Sequence, residues 1–336
     1  MKTTLDKINL VYSERFQQGA PMVSLFVPLV GNYVPLPKLF SSLLKQANVL
    51  LEKDGHPNIK ISSPNWELWK AENARAIAIY HAEGMTTVVP LNVQLDPRVI
   101  VAKSFHVKPI IAANASTGEA LLLTFHHKGC SLSRVGLSGA MVHDTYVPSR
   151  YDLNTRWPEQ LSRKHLRDFL DFMRDEVDEL RNRHTRFLAI DGASMDVMRS
   201  SEFWSQLGIP VRILGRTELA SQALQAVHTV REALAEVERE RLKQVVQELG
   251  ASQVAIERVG KMILDRQVRR LLISLEDLEF GELDAHTGEV RVHPAQQNST
   301  DDDVLDDLAE LALRKGVDVH VVPRELLPQG QKFLVA

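Results

Sequence analysis

The chain has 336 residues, more than one ordinary small domain holds, so two or three domains are expected. Hydrophobic residues make up 44% and charged residues 25%, the balance of a folded globular protein, which excludes disordered and collagen-like classes. The formal net charge is -3, and a protein that binds nucleic acid with its whole surface would be basic, so any RNA contact must be a local patch.

The first block runs from residue 1 to 101. Met22–Pro28 reads as a short buried strand, apolar and β-branched and stopped by proline. Pro37–Lys53 reads as an amphipathic helix, with Leu39, Phe40, Leu43, Leu44, Ala47, Leu50 and Leu51 on one face and Gly55 and Pro57 ending it. Arg75–Ala82 and Thr86–Leu91 read as two strands joined at Glu83-Gly84.

The second block runs from 102 to 250. Pro109–Ala113, Glu119–His126 and Cys130–Val135 read as three strands with hairpin-like spacing. Gly136–Pro158 is polar and aperiodic and reads as a loop of more than 20 residues, a length usually either functional or disordered. Glu159–Arg183 reads as a helix, Arg186–Asp191 as a strand, Ser194–Leu207 as a helix and Val211–Leu214 as a strand, which together predict a mixed sheet with helices packed on it. Thr217–Leu249 reads as one long helix bridging to the last block, with Gly250 as its C-cap.

The third block runs from 251 to 336 and reads as an α/β sandwich. Its expected elements are a helix over Ser252–Asp265, a strand over Arg270–Leu275, a reversal within Asp277–Val292, a helix over Asp303–Lys315, and strands over Val317–Val322 and Lys332–Val335. Gln296–Asp307 reads as a mobile loop running into a helix N-cap.

The single cysteine, Cys130, gives no disulfide framework and no cysteine zinc site; it fits a reducing, cytoplasmic setting. The N-terminal MKTTLDKINL lacks the apolar stretch of a signal peptide, and no apolar run reaches the ~18 residues of a membrane span.

Charge is unevenly placed. Lys128–Arg167 holds seven bases against three acids, whereas Glu276–Asp307 holds eleven acids against one base, Arg291. Solvated loop charge is the plain reading. The functional one sends the middle loop toward phosphates and the acidic tail toward a basic protein surface. In and beside the loop, Arg134, Arg150, Tyr151, Arg156, Trp157, Arg163 and Lys164 alternate guanidinium, ammonium and ring groups, which suits an RNA backbone and unstacked bases; packed loop aromatics are the alternative.

No phosphate-binding loop, GxGxxG, HExxH or GxSxG motif occurs, and no cofactor or metal is expected. Asp191 is the one clear strand-end acid in the middle block. A two-metal hydrolase needs converging acids, and Pro109–Ala113 offers none. His143, Asp144 and Gln160 are the loop groups able to orient water.

Three stretches carry a resemblance: Arg98–Val101 through FHVKP at 105–109, LLISLEDLEFGELDAHTG at 271–288, and DDLAELALRKGVDVHVVP at 306–323. In them the chain resembles the bacterial relatives of the archaeo-eukaryotic peptide-chain release factors, sometimes called baeRF proteins. The resemblance implies a ribonuclease H-like middle domain, a C-terminal domain like that of Pelota and class I release factors, and a role on the ribosome in termination or rescue. Release factors carry Gly-Gly-Gln in a middle-domain loop. This chain has none, and Val142-His143-Asp144 in the corresponding loop lacks the glycines that permit close backbone approach. The expectation is therefore a ribosome-binding factor that does not hydrolyse peptidyl-tRNA. The alternatives are a hydrolase of peptidyl-tRNA or RNA and a protein-interaction scaffold without ribosome contact.

Overall fold

The computed structural model describes residues 21–31, 34–71, 74–82, 85–115, 118–126, 129–137, 141–148, 163–182, 184–191, 208–215, 223–250, 254–295 and 301–336. The chain divides into two compact units. One comprises the chain up to Ala115 together with Leu242–Ala336, and the other is Ser116–Arg241.

The first unit holds an antiparallel sheet in the order β3-β2-β1-β4, formed by β1 (Met22–Pro28), β2 (Ala76–Ala82), β3 (Met85–Leu91) and β4 (Arg98–Ala102). Every residue of β1 is buried because both of its faces are covered, which is why it reads as a continuous apolar run instead of alternating. Val23, Leu25 and Val27 pack against Leu39, Phe40, Leu43, Ala47 and Leu51 of helix α1 (Leu36–Lys53). Burying side chains of this size contributes about 1.5–3 kcal/mol each. A short helix α2 (Trp66–Ala71) adds Trp69 to that core. On the other face, Met22, Phe26 and Tyr80 join Ile110 and Ile111 of helix α3 (Lys108–Ala115).

That helix corrects the sequence reading, which made Pro109–Ala113 a strand. Five apolar residues fit either state, and length alone could not choose between them. β4 was not anticipated as a strand.

The C-terminal half of this unit follows the predicted order closely. Helix α6 (Ile256–Leu264) leads into β10 (Arg270–Ser274), which pairs in parallel with β14 (Asp318–Val322) and antiparallel with β15 (Phe333–Val335). A second small sheet places β11 (Phe280–Leu283) between β12 (Val290–Val292) and the two-residue β13 (Asp302–Asp303). Helix α7 (Val304–Arg314) buries Val304, Leu305, Leu308, Ala309, Leu311 and Ala312 in the same core as α3.

The second unit is a five-stranded sheet. Its strands are β5 (Glu119–His126), β6 (Gly129–Gly136), β7 (Met141–Pro148), β8 (Thr185–Asp191) and β9 (Val211–Gly215), in the order β7-β6-β5-β8-β9. β5, β8 and β9 run parallel, and β6 is antiparallel to both β5 and β7. Helix α4 is Arg163–Leu180, and helix α5 is Ala223–Leu249. In this unit Ala226, Val230 and Leu234 of α5 pack with Ala120, Leu122, Phe187 and Ala189. Glu238 of α5 pairs with Arg186 of β8. In the first unit Val245 and Val246 of α5 pack with Leu272, Val322 and Leu334.

β7 corrects a second reading: part of the supposed loop 136–158 is an edge strand paired along β6. The helix expected over Ser194–Leu207 lies outside the described residues.

Helix α6 meets the β11–β12 turn backbone to backbone. A Cβ on Gly260 would sit 2.5 Å from the Gly288 carbonyl oxygen, and one on Gly288 would sit 2.5 Å from the Lys261 nitrogen. Gly288 also holds a φ of +73. The turn itself is set by Asp284, whose Oδ1 accepts from His286 N at 2.8 Å and Thr287 N at 3.0 Å. Those bonds hold the Asp284 carboxyl below its ordinary pKa. Gly288→Ala combines left-handed backbone strain with overpacking and is expected to cost about 2–4 kcal/mol in urea unfolding. Gly55→Ala, with a similar φ of +76 but nothing within 4 Å, is expected to cost only about 1 kcal/mol, so the pair separates the two effects.

Candidate functional site

Asp191 ends β8 and is buried; its register partners are Thr124 on β5 and Gly215 on β9. Neither is a carboxylate, so the central strands do not bring a second acid level with it. Among the described residues no group of three or more His, Cys, Asp or Glu is placed to hold a metal ion. Arg134 is drawn into its own unit: Nη2 donates to the Leu180 carbonyl at 2.8 Å, and Nε lies 3.5 Å from Glu119 Oε2. The half-buried guanidinium closes a helix end. His143 and Asp144 are successive residues of edge strand β7, with Asp144 in register with Ser133. Arg163 and Lys164 open α4. Arg150, Tyr151, Arg156, Trp157 and Gln160 lie outside the described residues.

The densest polar constellation lies elsewhere, in the first unit, where the segment after β4 meets the N-terminus of α7. Ser104 donates to Asp302 Oδ2 from both N (3.0 Å) and Oγ (2.5 Å). Val107 N donates to Asp306 at 2.9 Å and Lys108 N at 2.5 Å, so Asp306 caps helix α3 from about 200 residues away in the chain. Asp303 caps its own helix, accepting from Leu305 N at 3.2 Å, and also takes Glu279 N at 3.0 Å. Lys108 is wholly buried; its Nζ lies 2.6 Å from Asp303 Oδ2 and donates to the Asp277 carbonyl at 2.5 Å.

His106 is also wholly buried, edge-on to Phe26 at 5.6 Å, with Nδ1 3.6 Å from both Asp303 and Asp306 and neither ring nitrogen hydrogen-bonded. Its backbone is tied to the sheet: N donates to Ser24 Oγ at 3.0 Å, and its carbonyl accepts from Tyr80 Oη at 3.1 Å.

Burial dominates the electrostatics. It pushes the Asp302 carboxyl up to about 6, against the bonds from Ser104. Asp306 is pushed well above its ordinary value by burial and the Asp303 charge, and Asp307 by burial and the Asp302 charge. Burial, then Lys108 and Arg98, holds His106 well below 6.5, so the imidazole is neutral. The cluster is closed to solvent at Lys108, His106 and Asp303, which makes it an interlock between chain segments and not a reaction centre.

The same geometry revises the acidic tail. Asp277, Asp301, Asp302, Asp303 and Asp306 are buried, and Glu279, Glu282 and Glu289 pair with Lys332, Lys103 and Arg291. The loop expected at Gln296–Asp307 is, over residues 301–307, part of the packed core. The linear charge count overstates what this segment offers a basic partner. Sequence reasoning missed the cluster because nothing local links FHVKP to a distant acid run. The one available signal was a lysine and a histidine set among apolar residues.

Among the described residues, no helix is long and apolar enough to cross a membrane. No family model and no curated protein matches the chain. Among solved structures, it is similar to archaeal Pelota from a model of ribosome-bound Pelota and ABCE1, at 12% identity and a TM-score of 0.43 over 99% of this chain and 93% of that one. Pelota of Thermoplasma acidophilum shares 12% identity at a TM-score of 0.28, over 100% of this chain and 93% of that one. The archaeal translation termination factor aRF1 shares 13% at 0.22, over 97% and 93%. At these scores the superpositions assign no residue of this chain a role.

Two outcomes test the interlock. Lys108→Met strands buried carboxylates and is expected to cost about 3–5 kcal/mol in urea unfolding, and Asp303→Asn added to it recovers about 1–3 kcal/mol relative to additivity. Asp302→Asn tests the proton linkage. A carboxyl raised to about 6 in the folded state stabilises below the ordinary aspartate pKa and loses that contribution as pH rises through about 6. Over that window the stability of the native chain should fall relative to Asp302→Asn, by about 3 kcal/mol at most, in unfolding curves taken at stepped pH.

Proposed function

We propose that this chain is a translation-associated, ribosome-binding factor of the release- and rescue-factor type, acting by binding and not by peptidyl-tRNA hydrolysis. The observation that carries the reading is the strand order of the second unit. A sheet ordered 3-2-1-4-5 by position in the unit, with only the second strand antiparallel, supports the ribonuclease H-like reading that the sequence resemblance implies for a middle domain. The resemblance in the three stretches supplies the ribosomal context, since a fold alone supplies no function. The non-hydrolytic part rests on the missing Gly-Gly-Gln. Thr124, standing opposite Asp191, weakens the competing metal-dependent nuclease reading. In this reading the basic segment around residues 150–164 faces ribosomal or transfer RNA.

Cosedimentation with ribosomes across a salt series tests it. Binding is expected to fall with salt, and the Arg150→Ala/Arg156→Ala double variant is expected to bind several-fold more weakly with a shallower slope. Failure to bind empty, translating or stalled ribosomes at low salt would refute the proposal.

A further inference from the structure

Helix α6 ends in a left-handed turn that in other helices of this chain is given to glycine. Arg266 has a φ of 57 and is the only non-glycine residue with positive φ among the described residues. The turn is a Schellman motif: Gln267 N donates to Met262 O at 2.9 Å, and Arg266 N to Ile263 O at 3.1 Å. At the equivalent places after α1 and α7 stand Gly55 and Gly316, with φ of +76 and +77. An L side chain at this position is strained, so an arginine held there points to a use for its guanidinium.

The surroundings state what the use is. From Arg258 to Arg270 there are five bases and one acid. Arg258, Lys261, Arg266 and Arg269 are exposed, and no ion pair engages them among the described residues. Arg270 is different: it is held by two carboxylates, its Nε 2.9 Å from Asp318 and its Nη1 3.8 Å from Glu248. Arg269, Arg270 and Gln267 line a groove of about 580 Å³ with Leu249, Asp318 and Ala336. The segment thus combines guanidinium groups outside any ion pair with a groove of nucleotide size.

We propose that the turn Arg266–Arg270 is an RNA contact, with Arg266 and Arg269 on backbone phosphates and the groove taking the adjoining nucleoside. It places RNA against the C-terminal segment, whose linear charge suggested a protein partner. The choice of RNA among polyanions rests on the ribosomal reading above.

The test is fluorescence anisotropy of the full chain with a short labelled single-stranded RNA over a salt series. Arg266→Gly and Arg269→Ala are each expected to weaken binding about three- to tenfold and to lower the salt slope by about one. Arg266→Gly is expected at the same time to raise the melting temperature, which separates lost contact from lost fold. Unchanged affinity and slope in both variants would overturn the proposal, as would absence of RNA binding by the native chain at low salt. Ribosome cosedimentation keeps the two readings apart. If ribosomes are bound with the 266 and 269 variants indifferent, this contact fails and the ribosomal function stands. If ribosomes are not bound but RNA is, with both variants impaired, the contact stands and the ribosomal function fails.

Discussion

The first unit depends on one buried exchange of charge and hydrogen bonds, that between the segment Ser104–Lys108 and the acids at the head of α7. Two helix N-termini, of α3 and α7, meet there, each with orphan amide donors and the positive end of a dipole. Asp306 answers the first and Asp303 the second, while Lys108 compensates the carboxylate that α7 would otherwise bury alone. Such a pair is weak evidence for added stability, because desolvation offsets the Coulomb gain. What it gives is specificity. A different docking of residues 301–307 would leave Lys108, His106 and several amides buried without partners, and that penalty rejects it.

The interlock also explains what the family resemblance marks. Its three stretches converge on Lys108: FHVKP supplies the lysine, LLISLEDLEFGELDAHTG supplies the Asp277 carbonyl, and DDLAELALRKGVDVHVVP opens with Asp306. The first stands well over a hundred residues from the other two in the chain, yet the three share one polar core within one compact unit. A pattern that looks like a motif for chemistry is here a motif for assembly, since Lys108 and Asp306 within it are buried against each other's segments and not exposed to solvent.

Much of this architecture was legible locally. The α1 stripe, the buried β1 and the helix–glycine–strand run at α7 and β14 each carry their own periodicity and stop signals, and each appears where the pattern placed it. The readings that failed lacked local information. Pro109–Ala113 becomes helical in part because its cap arrives from Asp306, and a strand and a single helical turn look alike over five apolar residues. Met141–Pro148 is polar enough to pass for a loop, and only pairing with β6 makes it a strand. The acids at 301–303 and 306 looked solvated because burial of charge is decided by partners that sequence order does not display.

Those failures bear on how charge should be used in assigning a function. The linear run of eleven acids suggested an acidic surface, but its members mostly serve amides, lysines and arginines of their own unit. Removing them from the count leaves cations as the unpaired exposed charge at the end of α6, where the composition had promised a negative field. The sign of an interaction surface follows from which charges remain unsatisfied after folding, because paired charges contribute little field at a distance in salt. By that criterion Arg134 contributes less free charge than its place in the sequence suggests, since its guanidinium closes a helix end. Arg266 and Arg269 enter as candidates for the opposite reason: no ion pair engages their guanidinium groups among the described residues, and the fold holds one of them in a conformation that glycine would adopt more easily.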